Sequence, residues 1–241
     1  DFGDPASGIY NTSTQQNPLH IFTGTSTYNV KLIITNLNGC SDTIIKPVVI
    51  SPAPLAQFTA DTACLGTPTH FTDLSITPVG NIISWLWNFG DGFTSNLQNP
   101  EHTYVNWGVY NVSLTVTNSN GCQHDTTLSV QVNPVPAVAF TFSNTCAQSP
   151  TQFTDLSQNN GVPITQWLWQ FGDGGTSVTQ NPVHSYTHAG TYLVSLLVTN
   201  SQGCQSNVVK QVVIPASPIA NFTFDTPCLG DSTHFTDVSQ A

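Results

Sequence analysis

The sequence predicts an all-β chain of tandem seven-stranded sandwiches joined by short proline-rich linkers, and three observations carry that prediction. Two cysteine series, Cys40, Cys122, Cys204 and Cys64, Cys146, Cys228, share a single period of 82 residues, and a fixed period marks a tandem repeat. Whole phrases return with the cysteines. WLWNFGDG, from Trp85 to Gly92, reappears as WLWQFGDG from Trp167 to Gly174, QNPEHTY from Gln98 as QNPVHSY from Gln180, and YNVSLTVTNSNGC ending at Cys122 as YLVSLLVTNSQGC ending at Cys204. The third observation is periodicity. Tyr110, Val112, Leu114 and Val116 alternate with Asn111, Ser113, Thr115 and Thr117, which is the period of a strand with one buried face. No stretch reads as a helix.

Within the unit 52–133 the elements follow in order: strand A at 55–60, B at 69–74, C at 82–88, two short edge strands, F at 109–117 and G at 123–132. Seven strands in fewer than 90 residues make a two-sheet sandwich. Strand C places Trp85, Trp87 and Phe89 on one face and ends in Gly90-Asp91-Gly92, a turn whose glycines permit positive φ. Parity therefore predicts a core of Trp85, Trp87, Phe89 and Tyr110 in this unit and of Trp167, Trp169, Phe171 and Tyr192 in the next.

Aligned by period, the chain comprises residues 1–51 (the C-terminal part of a repeat), the complete repeats 52–133 and 134–215, and residues 216–241 (the N-terminal part of another). The two partial repeats lack strands needed to close a core, so each is expected to be poorly ordered or to borrow strands. The chain opens and closes in mid-repeat, with no methionine and no secretion signal at its start, which suggests a segment of a longer array. In residues 1–51, Pro5 stands where the turn has its second glycine, and about five extra residues precede Asn17-Pro18, so that turn is expected to bulge.

Composition excludes several classes. Thirteen acids against three lysines give a net charge of −10, and no basic stripe exists to neutralise phosphates, so nucleic acid is not a partner. No apolar run reaches the roughly 18 residues of a membrane span, so no membrane contact is expected of this segment. With 39% hydrophobic residues recurring at fixed positions, each unit can fill a core despite only 7% charge. Periodic cysteines, three N-x-S/T sequences at Asn11, Asn111 and Asn221 and a Thr/Ser/Asn-rich surface suit an oxidising exterior.

Taken together, WxFGDG, NPxHxY, GxY and the alternating V-x-L-x-V-T-N strand resemble the PKD (polycystic-kidney-disease) repeat, an immunoglobulin-like β-sandwich. The variant with CxG before FTDxS and N-x-x-G-C before the last strand resembles that of very long bacterial adhesins and gliding-associated surface proteins. The resemblance covers nearly the whole chain and implies a structural role at the bacterial cell surface, with neighbouring repeats, like filaments or surface glycans as partners. PKD-like units also serve as spacers in secreted hydrolases, so the alternative is a carbohydrate-binding accessory module.

Candidate sites are few. Asp91 and Asp173 of FGDG, with Asp73 and Asp155 of FTDxS, offer hard oxygen ligands for calcium, against the simpler reading that they cap their own turns. His20, His102 and His184 recur at one position, but a single histidine per repeat cannot hold a metal alone, so they are expected to be buried and hydrogen-bonded. The tryptophans of strand C are assigned inward, which leaves Trp107 as the loop aromatic for a sugar. Nothing converges as nucleophile, base and orienting group, so no enzyme activity and no cofactor are expected. Thr43, Thr62, Thr126 and Ser232 follow Asp in D-[S/T]-[apolar or Thr] sequences resembling those of one bacterial O-glycosylation pathway.

The cysteine period alone leaves three pairings: Cys64 with Cys122 (and so Cys146 with Cys204), Cys40 with Cys64, or Cys64 with Cys204. In a seven-strand sandwich the turn after strand A and the turn before strand G lie at opposite ends, about 25–30 Å apart for ~9 residues at ~3.3 Å. A disulfide needs Cα atoms within about 7 Å. Topology thus favours Cys64 with Cys204 across adjoining repeats, the other four cysteines pairing beyond this segment. Pairing within a repeat stays open should strand A be interrupted early. Finally, Ser51-Pro52-Ala53-Pro54, Asn133-Pro134-Val135-Pro136 and Pro215-Ala216-Ser217-Pro218 occupy one repeat position, and such short linkers are stiff. They predict a rod rising about 40 Å per unit.

Overall fold

The structure, a computed structural model, describes residues 1–240. The chain forms two compact units, residues 1–63, 67–104 and 109–131, and residues 64–66, 105–108 and 132–241.

In the first unit, residues 1–51 contribute a 3-10 segment, Pro5–Asn11, and the antiparallel pair β1 (Thr27–Thr35) and β2 (Ser41–Val49). The 3-10 segment corrects the reading of a helix-free chain. Proline's fixed φ suits a first helical position, so Pro5 turns the tight FGDG corner into a helical one, kinked at Gly8 with φ 61°. The expected departure from the regular turn therefore takes this form. Leu32 and Ile34 of β1 remain 59% and 60% exposed, because no second sheet covers them among the described residues.

Repeat 52–133 follows with β3 (Phe58–Ala60), β4 (Ala63–Cys64), β5 (Thr69–Asp73), β6 (Ile82–Asn88), β7 (Thr94–Ser95), β8 (Glu101–His102), β9 (Gly108–Asn118) and β10 (Gln123–Asn133). Its sheets run β3-β5-β8 and β4-β10-β9-β6-β7. Strand A is split. Phe58–Ala60 pairs with β5 in the smaller sheet, Phe58 facing Asp73, whereas Ala63–Cys64 crosses to β10 in the larger one.

In the second unit the pattern returns as β11 (Phe140–Phe142), β12 (Pro150–Asp155), β13 (Ile164–Gln170), β14 (Thr176–Ser177), β15 (Val183–Ser185), β16 (Gly190–Asn200) and β17 (Gln205–Ile214), in sheets β11-β12-β15 and β14-β13-β16-β17. The alternating residues of β16, Val194, Leu196 and Val198, are fully buried and meet Phe140 and Phe153 from the facing sheet around Trp169. Residues 216–240 add the pair β18 (Phe222–Phe224) and β19 (Phe235–Asp237), whose phenylalanines stay exposed.

The parity of strand C holds, but its depth needs correcting. Trp87 and Trp169 are 0% exposed, with Phe89 and Phe171 beside them, whereas Trp85 and Trp167 are only half-buried. Trp85 faces Val116 on the inner side of the sheet, next to Trp87 facing Leu114, so it points the predicted way. It lies nearer the end of the strand, where the core gives out. Tyr110 and Tyr192 are likewise half-buried and pack on Tyr104 and Tyr186, with ring centroids 4.0 and 4.2 Å apart.

Candidate functional site

Three constellations recur, and each is built on a phrase of the repeat. The first joins the FGDG turn to the NPxHxY segment. Gly90 has φ +82°, and a Cβ there would lie 2.7 Å from the Asn111 carbonyl oxygen, so both the conformation and the close backbone approach require glycine. The turn directs the Asp91 Oδ2 to His102 Nε2 at 2.6 Å, while its Oδ1 accepts from the Phe93 amide. The imidazole stacks on Phe89 at 4.3 Å, meets Tyr104 edge-on at 4.6 Å, and the Tyr104 hydroxyl donates to the Phe89 carbonyl. Asp173, His184, Phe171 and Tyr186 repeat the arrangement, with a 2.7 Å His–Asp contact. Asp4 and His20 form it at 3.2 Å with Phe2 stacked on the ring.

Electrostatics follow from this packing. Burial pushes the Asp173 carboxyl up, but hydrogen bonds from His184 and the Gly175 amide outweigh it and hold the group below its ordinary value. At Asp4, burial is likewise outweighed by the Thr23 hydroxyl and amide and by His20. The Tyr104 and Tyr186 phenols are pushed far up, chiefly by burial and then by Asp91 and Asp173. The imidazoles thus serve as cross-braces between turn and edge strand.

The second constellation holds the FTDxS aspartate. Asp73 accepts from the Ser75 amide through Oδ1 and, through Oδ2, from the Trp85 indole at 2.7 Å and the Gln98 side chain at 3.2 Å. Asp155 does the same with Ser157, Trp167 and Gln180. These contacts, with the Phe93 and Gly175 amides on Asp91 and Asp173, match the turn-capping reading of the four aspartates. Asp73 and Asp91, and Asp155 and Asp173, do not share a site; each carboxylate is engaged by its own N–H donors, which compete with a cation for the same lone pairs. No group of three or more potential metal ligands occurs among the described residues.

The third constellation was not foreseen, although its residues lie in the N-x-x-G-C phrase. Asn118 and Asn200, both buried, cap the turn before strand G: each Oδ1 accepts from two backbone amides, those of Asn120 and Cys122, and of Gln202 and Cys204. Each Nδ2 donates to a linker carbonyl, Asn118 to Pro52 at 3.2 Å and Asn200 to Pro134 at 2.9 Å. One buried amide therefore fixes both the linker and the cysteine. Linkers are also held from strand A: the Leu65 amide donates to the Asn133 carbonyl and the Ala147 amide to the Pro215 carbonyl, with the Ser217 hydroxyl on the Ala147 carbonyl.

At that position Cys64 and Cys204 form a disulfide, with Cα atoms 5.6 Å apart. Cys40, Cys122, Cys146 and Cys228 are free thiols, so the alternative pairs Cys64 with Cys122 and Cys146 with Cys204 are not formed. The early break in strand A does not bring Cys64 to Cys122, because β4 continues along β10 toward its C-terminal end at Asn133. Of the modification candidates, Thr43, Thr62 and Ser232 are exposed and Thr126 is half-buried. Trp107 is 55% exposed. A further cluster was not foreseen, although Asp61 and His70 return two periods on as Asp225 and His234: His70 Nδ1 lies 2.7 Å from Asp61 and Nε2 3.6 Å from Glu101, and the Asp61 hydrogen bond raises the imidazole's affinity for a proton.

Paired sheets, a buried tryptophan and the same turn, indole and linker contacts in successive copies define a tandem immunoglobulin-like β-sandwich module. A family model described as PKD domain matches residues 51–134 and 131–214, and the chain belongs to that family. It is 47% identical over 57 residues to Collagenase ColA of Bacillus cereus, covering 24% of this chain and 6% of that protein. It is 40% identical over 88 residues to a microbial collagenase of Vibrio alginolyticus (36% and 11%), and 30% identical over 118 residues to the pre-pro-metalloprotease PrtV of Vibrio cholerae (48% and 13%). The chain thus spans a small fraction of these relatives. Among solved structures, the PKD1 domain of Vibrio anguillarum Epp is 34% identical, covering 35% of this chain and 98% of that one, with a TM-score of 0.33.

Proposed function

We propose that the chain is a run of non-catalytic spacer repeats in a long secreted or surface-anchored bacterial protein, holding an adhesive region away from the cell. The observation that carries this is the Cys64–Cys204 disulfide, which bonds one repeat to the next at a point where buried Asn200 also fixes the linker. Two restraints on one junction remove the freedom a flexible tether would keep. An extracellular location is supported by the disulfide itself and by relatives named as collagenases and a pre-pro-metalloprotease. Those relatives also favour a second reading, in which the repeats are accessory modules of a secreted hydrolase.

Small-angle scattering on residues 52–215 tests the spacer. A particle with the length of two domains end to end and a narrow spread of sizes is the expected result; a broad or compact distribution refutes it. The two readings separate on the full-length polypeptide, where a protease or glycosidase domain supports the accessory role.

A further inference from the structure

Trp167 was assigned inward and set aside as a sugar platform, but the structure places it at the mouth of the sandwich. The indole is half-buried and lines two adjoining open grooves, one of about 730 Å³ with Asp155, Asn159, Asn160 and Gln180, and one of about 450 Å³ with Leu168 and Val178. Its Nε1–H is held by Asp155 Oδ2 at 2.7 Å, and Gln180 Nε2 donates to the same oxygen at 3.2 Å. The ring is therefore fixed by its neighbours before any ligand arrives. Around it stand neutral amides. Asn159 Oδ1 caps the Gly161 amide and Asn160 Nδ2 holds the Val135 carbonyl, which leaves the other end of each amide facing outward from exposed positions, together with the exposed Gln158 side chain.

We propose that this groove is a binding site for a neutral oligosaccharide. A fixed indole beside outward amide donors and acceptors matches a pyranose, which has an apolar C–H face and a rim of hydroxyls. No lysine or arginine lines either groove and the chain carries a net charge of −10, so an anionic ligand would be repelled. The amides are particular to this repeat. Positions 158–160 are Gln-Asn-Asn here but Ile76-Thr77-Pro78 in the preceding repeat, where the frame of Asp73, Trp85 and Gln98 is the same. Sugar recognition is thus assigned to one repeat of the array. The site is independent of the spacer reading, which scattering tests.

The experiment is a nuclear magnetic resonance titration of the whole chain with maltohexaose, cellohexaose, chitohexaose and mannohexaose, each to about 10 mM. At least one is expected to shift the Trp167 indole N–H resonance saturably, with the Trp85 indole unmoved. Trp167→Phe should weaken that binding about tenfold. Gln158→Ala, at an exposed position whose side chain holds nothing in the fold, should weaken it severalfold with unchanged thermal stability, and so keeps the test valid if the tryptophan variant unfolds. Silence at the Trp167 indole with all four sugars, equal shifts at Trp85, or full affinity in both variants overturns the proposal.

Discussion

Removing the Cys64–Cys204 bridge gives the sharpest test of how the repeats are coupled. The bond closes a loop with a sequence separation of 140 residues. In the chain-entropy model a loop of that size restrains the unfolded ensemble by about 5 kcal/mol, with about 2–4 kcal/mol typically delivered. A sandwich of this size shifts its midpoint by roughly 4–8 °C per kcal/mol. The double variant Cys64→Ala/Cys204→Ala, which leaves no unpaired thiol at the junction, should therefore melt about 10–25 °C lower than the parent by differential scanning calorimetry. Reduction of the parent should reproduce most of the loss. Cys122→Ala, at a half-buried free thiol, should cost under ~1 kcal/mol. A double variant melting within about 3 °C of the parent would refute the reasoning, since the bridge would then restrain nothing the linker contacts do not.

Four further outcomes follow from the packing. Asn200→Ala removes three hydrogen bonds from a buried group and should destabilise repeat 134–215 by about 2–4 kcal/mol in urea titrations. Gly172→Ala places a Cβ 2.7 Å from the Leu193 carbonyl oxygen at φ +85° and should cost at least ~2 kcal/mol by the same measurement. The Asp173 carboxyl is held below its ordinary value of 3.8, so its contribution is present above that value and is lost as pH falls through the folded-state one. Chemical denaturation between pH 5 and pH 2 should show this loss, and Asp173→Asn should flatten it. Intact-mass analysis of native material should show sugar on exposed Thr43, Thr62 or Ser232; bare polypeptide excludes that modification.

The sandwich was legible because its determinants are local and repeated. The β9 alternation from Tyr110 to Val116 and the FGDG turn fix inward faces without reference to any partner. Depth along a strand was less so: parity tells which side Trp85 faces, but only the assembled sheets show that the core ends there and Asp73 takes the indole. The partners of the aspartates were hidden for a related reason, since sequence shows carboxylates but not the N–H donors that reach them from residues 11–25 positions away. Asn118 and Asn200 passed as ordinary turn residues, because their second contact, to a linker carbonyl 66 residues earlier, leaves no local trace. The Cys64–Cys204 geometry was reachable because it depends on topology alone.

The split of strand A has a mechanical consequence. Because Ala63–Cys64 leaves the smaller sheet and carries its cysteine to the covalent bond with Cys204, a force applied at residues 52 and 215 enters at Cys64 and leaves at Cys204. The intervening 140-residue separation lies outside the load path. Without the bond that stretch could pay out nearly 500 Å of contour at about 3.4 Å per residue. With it, only the two short flanks, 52–64 and 204–215, can lengthen, so a pull can peel β3 (Phe58–Ala60) and β17 (Gln205–Ile214) but cannot pay out the chain between the two cysteines.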